Sequence, residues 1–202
     1  MIIGISGGIS SGKNLVSSIF SNYDSVIFDA DQEVKNLIAN NSEVIRKIND
    51  NLPEIFDNNI LNKNKLREKL FSTNCEYNKI ITILEDILHP TIRMICNDFV
   101  KLQNNKKFII LNIPLLIESN AYFYDKLITI NCDKEIRKKR YLLKMQNITN
   151  SDKIFEILSS RQISDTKRRD YGDFIINNNK SIISTIYQTK KIIEKLLTKQ
   201  SQ

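Results

Sequence analysis

The stretch Gly7-Gly8-Ile9-Ser10-Ser11-Gly12-Lys13-Asn14 decides how the rest of the chain is read. It follows the pattern Gly-x-x-x-x-Gly-Lys-Ser/Thr in every place but the last. Glycines permit backbone angles that turn successive N–H groups inward, so such a loop forms a nest for an anion. A helix opening directly behind it adds the positive end of its dipole. Lys13 has the reach and the charge to meet the outer phosphates of a nucleotide. The eighth position ordinarily carries a hydroxyl that ligates Mg²⁺, and here it is Asn14. An amide oxygen can also ligate a hard cation, but it cannot reproduce a hydroxyl donor. Gly8, Ile9, Ser10, Ser11, Gly12, Lys13, Asn14 and Leu15 are therefore the nucleotide-binding candidates, with Asn14 the metal candidate as well.

The flanks supply the context that this loop requires. Met1-Ile2-Ile3-Gly4-Ile5-Ser6 is a short apolar run rich in β-branched residues, and it ends at the first loop glycine. After Lys13, apolar residues fall at Leu15, Val16, Ile19 and Phe20, the period of a half-buried helix. Four further runs read as buried parallel strands: Ser25–Phe28, Phe108–Leu111, Leu127–Ile130 and Phe174–Ile176. Helical stretches separate them, so the spacing predicts a doubly wound α/β fold with five parallel strands. Ligands of such folds sit beyond the carboxyl ends of the strands. The stretches Asp31–Asn40, Ser42–Asn51, Lys63–Phe71 and Asn78–Gln103 read as helices of an insertion over about residues 32–105. A second insertion, at about 134–169, reads as a basic helical pair, Lys134–Met145 and Ser151–Arg169. Residues 196–202 are expected to fray. The whole chain reads as a single domain with these two insertions.

Composition narrows the partners. Of 202 residues, 41% are hydrophobic and 26% charged, ordinary for a globular protein with one sizeable core. The net charge of +7 suits an anionic small molecule. The basic residues are scattered and sit beside no aromatic platform, which argues against nucleic acid. Cys75, Cys96 and Cys132 form no metal-ligand spacing and read as free thiols of a reducing compartment. No run approaches the roughly 18 apolar residues of a membrane span, and no basic-then-apolar leader precedes the loop. A cytoplasmic protein without membrane attachment is expected.

The remaining chemistry-bearing residues are fewer. Asp29-Ala30-Asp31 stands where the second strand ends, and in extended chain its two carboxylates point to one side. Phosphoryl transfer needs a carboxylate to orient or deprotonate the attacking oxygen, and acidic groups to hold metal-bound water; a solvated turn reads equally well from these residues. Arg137-Lys138-Lys139-Arg140, with Arg161, Arg168 and Arg169, could close over a triphosphate, or be the solvated faces of amphipathic helices. His89, the only histidine, precedes Pro90 and reads as a helix-boundary or hydrogen-bonded structural residue sooner than as a catalytic base. Glu118, in Pro114-Leu115-Leu116-Ile117-Glu118, either faces the cleft or sits at a capped helix start.

Taken in order, these residues resemble the dephospho-CoA kinase family over nearly the whole chain. The likeness rests on Gly7–Lys13, Asp29-Ala30-Asp31, Leu66-Arg67-Glu68-Lys69-Leu70-Phe71, Leu84-Glu85, His89-Pro90, Pro114–Glu118, Gln162, Arg168 and Asp173–Asn178. The resemblance implies a P-loop kinase fold with a substrate-binding insertion and a lid. It also implies transfer of the γ-phosphate of ATP, with Mg²⁺, to the ribose 3′-hydroxyl of dephospho-CoA. By position it assigns Asp31 as base, Lys13 as phosphate ligand and Arg140 as lid arginine. Asp29, Arg67, His89 and Glu118 fall to the acceptor side, while Arg168 and Asn178 fall near the adenine of ATP. The alternative is another P-loop kinase of a nucleoside or small metabolite. A guanine-nucleotide switch is disfavoured, because Asn62-Lys63-Asn64-Lys65 lacks the Asp of Asn-Lys-x-Asp.

Overall fold

The computed structural model describes residues 1–71, 75–146, 148 and 150–199, which form two compact units. In chain order the first unit begins with β1 (Ile2–Gly7), α1 (Lys13–Phe20) and β2 (Ser25–Asp29). The second, residues 30–98, holds α2 (Ala30–Asn40), α3 (Ser42–Asn51), a 3₁₀ turn at Pro53–Ile55, β3 (Phe56–Asp57), β4 (Ile60–Leu61), α4 (Lys63–Phe71) and most of α5 (Cys75–Leu102). The first unit then resumes with β5 (Phe108–Asn112), α6 (Leu116–Ser119), β6 (Lys126–Asn131), α7 (Lys134–Lys144), α8 (Ser151–Ser160), α9 (Asp165–Tyr171), β7 (Phe174–Asn177) and α10 (Ile182–Lys199).

The five expected strands pair in the order β2-β5-β1-β6-β7, all parallel. Strand alternation sends Ile3, Ile5, Phe108, Ile110, Ile128, Ile130 and Ile176 to one face, where α1 and α10 cover them. Phe20 of α1 meets Phe108 edge-to-face at 5.7 Å between ring centroids. On the opposite face, α6 and α9 pack against β1. A side chain at Gly4 would there come within 2.7 Å of the Leu116 methyl, so a larger residue would have to displace that side chain.

Three expectations change. Residues 196–202 do not all fray: α10 runs to Lys199, and Leu196 is only 1% exposed within the core. The helix expected over Ser151–Arg169 is two, α8 and α9, because the connecting residues bond elsewhere: the backbone N–H of Ile163 donates to Glu118 at 2.9 Å. Ser164 then caps α9, accepting from the N–H of Lys167. Finally, α2 starts at Ala30, so the alternation invoked for Asp29 and Asp31 does not carry through the pair.

In the second unit Asn41 caps α3 by accepting from the N–H of Val44 at 2.9 Å. The hairpin β3–β4 turns on Asn58 and Asn59, both at positive φ (49° and 64°), the geometry of a two-residue hairpin loop. Pro90 lies inside α5 rather than at its boundary, which corrects the helix-boundary reading of His89 and leaves its other structural reading standing. Among the described residues, no helix is long and apolar enough to cross a membrane.

Asp173 ties the start of β7 to β6. Burial pulls its pKa up, but the Lys126 ammonium at 2.7 Å and the Leu127 N–H at 2.8 Å outweigh this and hold it below the usual 3.8. A depressed carboxylate stabilises the fold above its unfolded value and loses that contribution as pH falls through the folded value. Asp173→Asn is therefore expected to lower stability at pH 7 by about 1 kcal/mol, a melting shift of roughly 2–4 °C. In thermal melts the difference from the parent should close below pH 4; a shift that persists there would show that the carboxylate charge is not its source.

Candidate active site

The loop between β1 and α1 is built from its own backbone. The N–H of Ser11 donates to Gly8 O at 3.0 Å, and the N–H of Val16 to Gly12 O at 3.2 Å, closing the turn into α1. Gly12 has φ 105°, a conformation that side chains rarely adopt, and a Cβ there would strike Asn178 Nδ2 at 2.3 Å. Ser10 takes φ 59° without being glycine, at a cost of roughly 1 kcal/mol, the strain of a left-handed residue in a binding loop. The Lys13 ammonium donates back to Gly7 O at 2.8 Å.

Asn178, expected near the adenine, buttresses the loop from beneath. Its side chain is buried, donates to Ser11 O at 2.7 Å and accepts from the Thr185 hydroxyl at 2.7 Å. Its carbonyl in turn accepts from Arg140 Nη2 at 3.0 Å, and Arg140 Nη1 lies 3.4 Å from Cys132 Sγ. Burial pushes the Cys132 thiol above its usual pKa, against the pull of Arg140, so it stays a donor to Asn178 O. Gln162 reaches the other side of the loop, its Oε1 accepting the N–H of Ile9 at 2.8 Å.

At the end of β5 stands a residue that sequence reasoning passed over. Asn112 Nδ2 donates to Asn14 Oδ1 at 3.1 Å and to Asp29 Oδ2 at 3.0 Å, joining the metal candidate to the first carboxylate. Asn112 Oδ1 is buried and has no hydrogen-bond partner among the described residues. The available signal was a polar residue closing an otherwise apolar strand at the rim where parallel sheets bind ligands.

Helices α6, α7 and α9 meet in a chain of ion pairs whose arginines are buried and whose carboxylates are half-buried. Glu118 Oε1 lies 3.4 Å from Arg168 Nη2, Arg168 Nη1 pairs with Asp165 at 2.7 Å, and the second Asp165 oxygen takes Arg137 Nη2 at 3.0 Å. Arg137 and Arg168 are only 5% and 2% exposed. The resemblance places Glu118 and Arg168 on different ligands; the structure brings the two together in one ion pair. Asp165 carried no assignment, since a lone acid at a helix start looks like an ordinary cap. A cavity of about 280 Å³ opens beside these residues, lined by Lys134, Arg137, Glu156, Gln162, Ser164 and Arg168 among others. Taking the two guanidinium groups out of water offsets much of the attraction in these pairs, so they are weak evidence for stability.

The remaining candidates belong to the second unit. Asp31 lies in the first turn of α2, where the helix dipole favours a carboxylate. Arg67 is on α4, and His89 is on α5, where its carbonyl accepts from Arg93 Nε at 3.3 Å.

A parallel sheet with a glycine loop at the end of its central strand, followed directly by a helix opening on lysine, defines a P-loop nucleotide-binding protein. The dephospho-CoA kinase family model matches residues 1–184. The chain belongs to the dephospho-CoA kinase family. The dephospho-CoA kinase of Ehrlichia canis is 33% identical over 197 residues, covering 96% of this chain and 94% of that one. In fold, the chain is similar to TT1252 from Thermus thermophilus, with a TM-score of 0.76 at 20% identity and 96% of each chain covered. It is also similar to the dephospho-CoA kinase of Campylobacter jejuni, with a TM-score of 0.61 at 24% identity and the same coverage. The activity is ATP-dependent phosphorylation of dephospho-CoA in coenzyme A biosynthesis.

Proposed function

We propose that the chain carries out this reaction by direct in-line transfer, with the loop of residues 7–14 holding ATP and Asp31 serving the acceptor. The ribose 3′-hydroxyl oxygen forms a bond to the γ-phosphorus, the bond from that phosphorus to the ADP oxygen breaks, and the hydroxyl proton passes to the Asp31 carboxylate. Lys13, now bonded to its own loop at Gly7 O, turns to the phosphates and offsets their charge. Asn178 and Gln162 keep the loop in shape from either side, and Arg140 holds the Asn178 carbonyl on the nucleotide side. The family resemblance gives Asp29, Arg67, His89 and Glu118 to the acceptor, and within the first unit Arg168 pairs with Glu118 at 3.4 Å. The observation that carries this reading is the closed glycine loop with Lys13 at one end and buried lid arginines beside it. The free, buried thiols of Cys96 and Cys132 suit a reducing cytoplasm.

The assay is ADP release with ATP, Mg²⁺ and dephospho-CoA, run beside adenosine and other hydroxyl acceptors. Selective stimulation by dephospho-CoA is expected; its absence overturns the acceptor.

Magnesium fits the residues present. Asn14 Oδ1, the Asp29 carboxylate and the orphaned Asn112 Oδ1 are hard oxygen donors gathered at one rim, and Asn14 is exposed. Asn14 and Asp29 would hold the ion, directly or through its water, and it would neutralise charge on the phosphate oxygens. Asn14→Ser is expected to keep activity, whereas Asn14→Leu should raise the Mg²⁺ concentration needed for half-maximal ADP binding about tenfold or more. An unchanged Mg²⁺ requirement in the leucine variant would place the ion elsewhere.

A further inference from the structure

Helix α7 presents two arginines one turn apart, and they are not equivalent. Arg140 has both outer nitrogens engaged, with Asn178 O and Cys132 Sγ. Arg137 spends two of its three nitrogens: Nε donates to Cys132 O at 2.9 Å and Nη2 to Asp165 at 3.0 Å. Its third, Nη1, is buried and has no hydrogen-bond partner among the described residues. A cationic donor taken out of water and left unpaired is costly, so its retention calls for an explanation.

The surroundings of Nη1 supply one. A Cβ built on Gly8, the second residue of the loop, would fall 2.5 Å from Arg137 Nη1 and 2.7 Å from its central carbon. The guanidinium therefore lies directly on the loop, against the face that Gly8 leaves open. The neighbouring carbonyl, Gly7 O, is the one that receives the Lys13 ammonium. Two cations thus converge on the Gly7–Gly8 end of the nest, the end from which the loop lysine serves the outer phosphates. Arg137 is also oriented before any ligand arrives: Asp165 grips it from one side, the Phe155 ring lies 6.0 Å away, and Asp165 is itself held by Arg168. Donors fixed in advance, in a site shielded from water, are what stabilise charge developing on a transferred group.

We infer that Arg137 is a catalytic residue whose Nη1 donates to an oxygen of the phosphoryl group in transfer, beside Lys13. This rests on the reading that ATP lies in the loop. No covalent change occurs at Arg137; it donates a hydrogen bond that strengthens as the phosphoryl group loosens from ADP.

The test uses Arg137→Met and Arg137→Ala in the full chain, with turnover on dephospho-CoA and calorimetric binding of ADP–Mg²⁺ with and without aluminium fluoride. Aluminium fluoride with ADP mimics the phosphoryl group in flight. The expected result is a fall in kcat on the order of 10², ADP affinity within about threefold of the parent, and loss of the tightening that aluminium fluoride gives the parent. Methylguanidinium should restore part of the turnover of Arg137→Ala. A purely structural arginine would show neither the selective loss of aluminium fluoride binding nor this rescue, and their absence overturns the inference. If Arg137→Met fails to fold, Arg137→Gln, which keeps a donor toward Cys132 O, is judged by the same two readouts. If the parent shows no turnover with dephospho-CoA, the acceptor reading falls; Arg137 then stands or falls on aluminium fluoride binding alone.

Discussion

Replacing Lys13 by methionine is expected to lower kcat/KM for ATP by about 10³ while the melting temperature stays within a few degrees. The size follows from the kind of interaction removed. Loss of one fixed donor to a developing oxyanion costs about 10²–10³, and a charge-assisted bond is roughly twice as strong as a neutral one. Stability is spared because the Lys13 ammonium makes a half-buried bond to Gly7 O, a carbonyl that water can serve in its place. The backbone bonds that shape the loop, Ser11 N to Gly8 O and Val16 N to Gly12 O, do not involve this side chain. Methionine keeps the length and apolar stem of lysine, so the difference isolates the charge. Steady-state kinetics with saturating dephospho-CoA, together with a thermal melt, check this; a loss of less than tenfold would mean that the phosphates are held without Lys13.

The β1–loop–α1 unit was legible because its mechanism dictates its residues. A nest of N–H groups needs glycines, the helix must follow at once, and the apolar strand must precede. The five parallel strands were legible for a similar reason, since a strand buried on both faces must be apolar throughout, as in Phe108–Leu111. What stayed hidden depended on partners distant in sequence. The break between α8 and α9 is set by Glu118, 45 residues from Ile163. The hairpin β3–β4 has only two residues per strand, too few for any periodicity to register. Arg137 and Arg140 share one basic segment, and composition cannot say which of them lies on Gly8. Asn112 was masked by the apolar run that it ends, although its bonds to Asn14 and Asp29 make it the hub of the rim. Local chemistry is readable from spacing; long-range satisfaction of buried polar groups is not.

Asp31→Asn is expected to lower kcat on the order of 10³, within the 10²–10⁴ that a positioned proton acceptor contributes. The substitution keeps shape and hydrogen-bonding reach but removes the ability to take a proton. A ribose hydroxyl is a poor nucleophile until its proton is relieved, and the chain offers few groups to relieve it. His89 is the only histidine, and it sits in the middle of α5 beside Pro90. Glu33 is the other acid in the first turn of α2, so it is the natural comparison. Glu33→Gln should turn over within about twofold of the parent, while Asp31→Asn should bind ATP within about threefold and still fail in single-turnover chemistry. Should Glu33→Gln carry the loss instead, the base is Glu33 and the positional assignment is off by two residues. If neither variant slows phosphoryl transfer, the hydroxyl loses its proton late, after the bond to phosphorus has formed. The kinase would then depend on its cations, Lys13 and Arg137, more than on any base.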